Sequence, residues 1–317
     1  MIRAGRVHRR LVLAAIGLGA SAAVACAPSI DTAGRGNAVA GTGTGATQGS
    51  LFIVGGGTQP PALITEFIAL AGGPGRARIA VLPMASSEPA ETGREKVEQL
   101  VGEGANAFVL NVDRTQAESD STARLLDSVT GVWFSGGDQA RLTPILSGTV
   151  LLRAIQARYR AGAVLGGTSA GAAVMTDSMI TGEQYRDGVD TSAYYGDDFP
   201  VIARRAIEIV PGLGFLSGAI VDQHFIRRER HNRLLSVVLE RPTMLGVGID
   251  EGTAIVVRPS GSWQVIGRSA AIVYDARQSR VTNGSAPVLG AADIRVHLVP
   301  AGGSFDPRSG RVTLPAK

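Results

Sequence analysis

Ala163-Val164-Leu165-Gly166-Gly167-Thr168-Ser169-Ala170-Gly171 is the stretch on which the fold turns. Three apolar residues run into a glycine-rich corner, and small helix-compatible residues follow it. This is the pattern of a buried strand, a sharp turn and a helix, with the spacing G-x-S-x-G around Ser169. The glycines let the backbone turn abruptly. The turn lifts the Ser169 hydroxyl above the sheet, and the amides at the start of the next helix point at the same spot. A glycine-rich corner with an incidental serine would look the same, so the surroundings must decide.

Upstream, short apolar runs at 51–54, 79–82, 107–110 and 132–134 precede the one at 163–165. Amphipathic stretches at 63–71, 91–101, 122–128 and 151–159 lie between them. Such alternation predicts βαβ units and a mostly parallel sheet flanked by helices, an α/β fold. After about residue 240 the texture turns strand-rich, at 243–247, 253–257, 262–266, 271–274 and 295–299. These read as edge strands and β-hairpins added to one domain, 51–317, and no internal repeat is present.

The amino terminus reads differently. Arg3, Arg6, Arg9 and Arg10 precede the apolar run 11–20 and the small residues 21–25, the layout of a signal peptide over 1–25. Cys26 follows, the only cysteine of the 317 residues, so the chain can form no internal disulfide. Ala25-Cys26 resembles the lipidation site of bacterial lipoproteins, although Ala23 stands where that site usually has Leu. Arg9-Arg10 is also a weak match to a twin-arginine signal. Residues 26–50 hold mainly Gly, Ala, Thr and Ser and read as a flexible tether. The chain is therefore expected to be exported and held at the cell envelope, or released beyond the membrane. The pI near 9.6 is mostly the leader's. Without its four arginines, 27 basic and 27 acidic residues remain, which argues against a nucleic-acid partner.

A nucleophilic serine needs a base. Of four histidines, His8 lies in the leader. His297 sits inside an apolar strand and His231 in a predicted helix. His224 ends the run Ala219-Ile220-Val221-Asp222-Gln223, at the strand rim where open α/β sheets carry their sites. The acid that orients it is Asp250 or Glu251 of Gly248-Ile249-Asp250-Glu251-Gly252, neighbours that point opposite ways. A second glycine turn, Ser135-Gly136-Gly137-Asp138-Gln139, offers amides for an oxyanion hole, with Gly137 the nearest candidate. Arg227, Arg228, Arg230 and Arg233 form a basic cluster just past His224, on helical faces suited to substrate carboxylates. A reversed order, with Asp250 preceding His297 as base, would describe an α/β-hydrolase esterase. A peptide-binding lipoprotein without catalysis would need only the arginines.

Phe134–Gln139, Gly166–Met175, Val221–Phe225 and Gly248–Ala254, in this order, resemble the Ser-dependent peptidase family that holds the cyanophycinases and aspartyl dipeptidases. The resemblance runs from about Leu51 to Val299. It implies a flavodoxin-like sheet akin to class I glutamine amidotransferases, and a triad of Ser169, His224 and Glu251. It also implies substrate contacts at Gln139, Asp222, Gln223, Arg228, Arg230 and Arg233, and with the triad so placed the amides of Ala170 and Gly137 are expected to hold the oxyanion. The implied activity is hydrolysis of a poly-aspartate backbone carrying arginine, or of β-aspartyl dipeptides, with no metal or organic cofactor. A homodimer is left open. The segment 181–199 departs from the family by its length. Its acids Glu183, Asp187, Asp190, Asp197 and Asp198, with Tyr185, Tyr194 and Tyr195, suit a rim or lid that receives substrate guanidinium groups.

Overall fold

Runs of apolar residues bury both of their faces only inside a covered sheet, and the first half of the chain builds one. The computed structural model describes residues 48–184, 202–282, 284 and 287–316. They fall in one contact unit, Thr44–Lys317. In chain order come β1 (Leu51–Val54), α1 (Pro61–Leu70), β2 (Arg78–Leu82), α2 (Pro89–Gly102) and β3 (Asn106–Val109). Short helices α3 (Arg114–Ala117) and α4 (Asp120–Arg124) lead to β4 (Gly131–Phe134). After α5 (Leu142–Leu146) and α6 (Val150–Arg160), β5 (Val164–Thr168) ends at the four-residue α7 (Ala170–Ala173). Strands β1 to β5 pair in parallel in the order β1-β5-β4-β2-β3. Helices α1 and α2 cover one face through Leu63, Ile64, Phe67 and Leu100. Helices α3, α5 and α6 cover the other through Ala117, Leu142, Leu151 and Ile155.

The second half is strand-rich. It holds β6 (Ser178–Gln184), β7 (Ile207–Pro211), β8 (Ala219–Gln223), α8 (His231–Glu240), β9 (Leu245–Ile249) and β10 (Thr253–Val257). Then come β11 (Trp263–Gly267), β12 (Ala270–Asp275), β13 (Arg280–Val281), β14 (Ala291–Ala292), β15 (Arg295–Pro300), β16 (Ser304–Asp306) and β17 (Arg311–Thr313). Strands β10, β11, β16 and β17 extend the main sheet antiparallel beyond β1, as edge additions should. Strands β13 and β14 form an antiparallel pair of their own, as a hairpin should, whereas four strands depart from that expectation. Strands β15, β12, β9 and β8 form a separate four-stranded sheet, with β8 and β9 parallel. Val221, Val247, Ile249 and Val273 pack it against Ile255, Val257 and Val265 of the main sheet. Its outer face meets α8 through Ile220, Leu234, Val237 and Val238.

Two boundaries also move. Residues 48–50, read as tether, dock on the domain: the amides of Gln48 and Gly49 donate to the carbonyls of Arg160 and Tyr159. Residues 181–184, read as the start of a long loop, belong to β6, which pairs antiparallel with β7. The leader, Cys26, and the acids and tyrosines of 185–199 lie outside the described residues. Among the described residues no helix is long and apolar enough to cross a membrane.

Candidate active site

The carboxyl ends of β1, β4, β5, β8 and β9 meet at one rim. Ser169 stands between β5 and α7 at φ 53° and ψ −113°, a conformation that residues with a Cβ seldom adopt. Its amide donates to the Val54 carbonyl at 3.1 Å. A Cβ on Gly167 would lie 2.3 Å from the Gly171 carbonyl oxygen, and one on Gly171 2.1 Å from that of Phe134. The two glycines of G-x-S-x-G are therefore required by close backbone packing, which holds the strained serine in place.

His224 leaves the end of β8 with φ 51°. Its Nε2 is 2.9 Å from Ser169 Oγ, and its Nδ1 is 2.6 Å from Glu251 Oε1. With Nδ1–H donating to the carboxylate, Nε2 is left to accept the serine proton. Burial, opposed by the Glu251 hydrogen bond, holds the imidazole below its ordinary pKa, and the positive charges of Arg228 and Arg230 push the same way. The ring is thus kept in the neutral form a base requires. Asp250 does other work: it accepts from the Arg227 amide at 3.0 Å and from Ser269 Oγ at 2.8 Å.

The turn Gly55-Gly56-Gly57 after β1 ties these pieces together, and the sequence reading missed it. Gly55 O accepts from the His224 amide at 2.6 Å, and Gly56 O from the Gly252 amide at 3.0 Å. A Cβ on Gly56 would lie 2.4 Å from the His224 ring, and one on Gly57 2.9 Å from Glu251 Oε2. Three glycines directly after a buried strand were the available signal.

The second glycine turn is pressed against the nucleophile. A Cβ on Gly136 would lie 3.5 Å from Ser169 Cβ, whereas one on Gly137 would lie 2.2 Å from the Ala85 carbonyl oxygen. Gly137 holds φ 136°. Ala170 is the first residue of α7, so its amide has no acceptor within that helix.

Five of the six residues expected to contact substrate are buried, and the arginines do not share the helical face expected of them. Helix α8 begins at His231, so Arg227 and Arg228 lie in the turn before it and share no helical face with Arg233. Arg233 and Asp222 are buried, with side chains 3% and 0% exposed, and form a two-pronged ion pair. Arg230 donates to the Gln223 carbonyl at 2.9 Å and to Gln223 Oε1, and stands 3.6 Å from Asp222. Gln139 is buried too, its amide nitrogen donating to the Ile180 carbonyl at 2.6 Å. The physical cause is Asp222: a carboxylate on a buried strand needs cations within the protein. Of the six residues only Arg228 is exposed. Arg233→Met is therefore expected to destabilise by about 3 kcal/mol, by removing the two-pronged partner of a buried carboxylate and leaving it the longer approach of Arg230. The double variant with Asp222→Asn should recover part of that loss. Urea unfolding of both variants checks it, and equal midpoints to wild type would refute the pair's weight.

Neither remaining histidine joins the site among the described residues. His231 Nδ1 lies 2.7 Å from the Tyr274 hydroxyl, its ring against Phe225. His297 lies on β15 with its ring 5.1 Å from that of Phe305. The reversed acid–His order of an esterase thus finds no support in the geometry.

Comparison with known proteins agrees with this architecture. The model of Peptidase family S51 matches residues 51–264. The cyanophycinase of Trichormus variabilis is 34% identical over 281 residues, covering 86% of this chain and 89% of its own. The cyanophycinase of Geminocystis herdmanii is 33% identical over 269 residues, covering 82% and 94%. The crystal structure of a peptidase from an acI-B1 Actinobacterium shares the fold, with a TM-score of 0.60 at 23% identity over 83% of this chain and 98% of that one. With its family model spanning both the elbow and the His224–Glu251 segment, this chain belongs to peptidase family S51.

Proposed function

We propose that this serine peptidase cleaves a cyanophycin-type polymer, a poly-aspartate backbone with arginine on its side-chain carboxyls, and releases β-aspartyl-arginine dipeptides. The observation that carries the reading is the continuous hydrogen-bond line from Ser169 through His224 to Glu251. It lies in a chain about one-third identical, over most of its length, to cyanophycinases. In this reading Ser169 Oγ attacks a backbone aspartyl carbonyl while His224 Nε2 takes its proton. The oxyanion is received by the amides of Ala170 and Gly137; one such donor is worth about 100- to 1,000-fold in rate. His224 then protonates the leaving amine, and water activated by the same ring resolves the acyl-enzyme.

Arg228, an exposed cation whose charge is felt at His224, is the residue proposed to receive substrate carboxylate. The acids at 185–199 are proposed as the rim that receives guanidinium groups. Export through the 1–25 leader, with lipid on Cys26, belongs to the same proposal. Incubating the domain with cyanophycin and identifying the products by mass spectrometry tests the reading. Release of β-aspartyl-arginine is the expected outcome. Intact polymer alongside cleaved β-aspartyl dipeptides would make the protein a dipeptidase instead.

A further inference from the structure

Lys96 projects from α2 toward the interior, away from the helix's exposed charges Glu91, Arg94, Glu95 and Glu98. Its Nζ donates to Gln59 Oε1 at 2.6 Å and to Gln99 Oε1 at 2.5 Å. The same ammonium stands 4.5 Å from the centroid of the Trp133 ring, a cation–π contact. Gln59 carries the connection onward: its Nε2 donates to the Gly57 carbonyl at 2.9 Å and to Thr168 Oγ1 at 3.2 Å. Thr168 immediately precedes Ser169. Gly57 lies against the Glu251 carboxylate, and its neighbour Gly56 against the His224 ring. One amide thus bridges the nucleophile's strand and the turn that backs the other two side chains. A glutamine amide can flip. A cation fixed on its oxygen sets which end faces Gly57 and Thr168.

We propose that Lys96 is a positioning residue for the reaction, acting through Gln59 to clamp the Gly55-Gly56-Gly57 turn to the end of β5 and hold Ser169, His224 and Glu251 in line. This rests on the catalytic roles given above. Lys96 touches no reacting atom. Its effect is on alignment, where displacements near 1 Å cost about 100-fold.

Burial lowers the Lys96 pKa to about 8. The groups that face it, Gln59 from the loop after β1, Gln99 from α2 and Trp133 from β4, are uncharged. Of the charged side chains on the elements around it, Arg78 stands at the opposite end of β2, and Glu66 of α1 pairs with Arg258. The clamp is therefore strongest well below pH 8 and weakens as the pH rises through it, as the ammonium loses its proton and its hold on the Trp133 ring.

The test compares wild type, Lys96→Met, Lys96→Arg and Gln59→Leu, each shown to be folded by urea unfolding. The readouts are kcat and KM on cyanophycin across pH 6 to 10, and the rate of Ser169 labelling by a fluorophosphonate. Lys96→Met and Gln59→Leu should lower kcat and labelling roughly 10- to 100-fold with little change in KM. Lys96→Arg should restore most of the rate and move the alkaline fall of kcat to higher pH, because a guanidinium stays charged. Wild-type kcat in Lys96→Met, a change confined to KM, or an alkaline limb unmoved in Lys96→Arg would overturn the proposal. A wild-type protein whose Ser169 takes no label would instead overturn the catalytic reading on which it rests.

Discussion

Ser169→Ala is expected to lower kcat by up to about a million-fold while leaving the fold intact. Removing the nucleophile of a Ser-His-acid set costs about as much as removing the whole set, because the three act as one unit. Alanine keeps the Cβ, so the strain at φ 53° is unchanged and no new clash arises. The glycines at 167 and 171 still fit against Gly171 and Phe134. The one hydrogen bond lost, to His224 Nε2, leaves an acceptor at an open rim that water can satisfy. The urea midpoint should match wild type and fluorophosphonate labelling should vanish. A folded variant that turns over polymer at the native rate would end the peptidase reading at this residue.

The half of the fold that the sequence disclosed is the half built from continuous apolar runs. Strands such as Ile79-Ala80-Val81-Leu82 are buried on both faces, and only a covered parallel sheet accommodates that. In the second sheet the glycines of β9 hid that strand's central place. In Leu245-Gly246-Val247-Gly248-Ile249 the larger residues face the inner core, while Gly246 makes room for α8 and Gly248 for Phe225. A Cβ on Gly246 would lie 2.3 Å from Val238, and one on Gly248 2.2 Å from the Phe225 ring. Glycine carries no hydropathy signal, so the strand reads as weak and peripheral when it is central.

The site divides in the same way. Ser169 and His224 were legible because each ends an apolar strand in a polar residue. The burial of Arg230 and Arg233 was not legible, because composition cannot distinguish a solvated basic face from a buried one. Their burial is set by Asp222, whose own position follows from strand pairing far along the chain. Lys96 and Gln59 left no local trace, since their relation to Ser169 exists only once α2 has packed on the sheet.

The choice between the neighbours at 250 and 251 can be settled by substitution. Glu251→Gln is expected to lower kcat about 1,000- to 10,000-fold with little change in KM. The glutamine preserves the shape of the 2.6 Å contact to Nδ1 but brings no charge to stabilise the imidazolium, and its amide nitrogen can favour the wrong tautomer. The pH profile adds a second signature. The hydrogen bond and charge of Glu251 both raise the His224 pKa against the depression caused by burial. Removing them lowers that pKa further, so the acid limb of kcat/KM should move to lower pH. Asp250→Asn should behave differently. That carboxylate supports the Arg227 amide and Ser269, so its neutralisation should cost about 1–3 kcal/mol of stability while kcat stays within about tenfold. An acid limb that shifts with Asp250→Asn and stays fixed with Glu251→Gln would assign the orienting role to Asp250 instead.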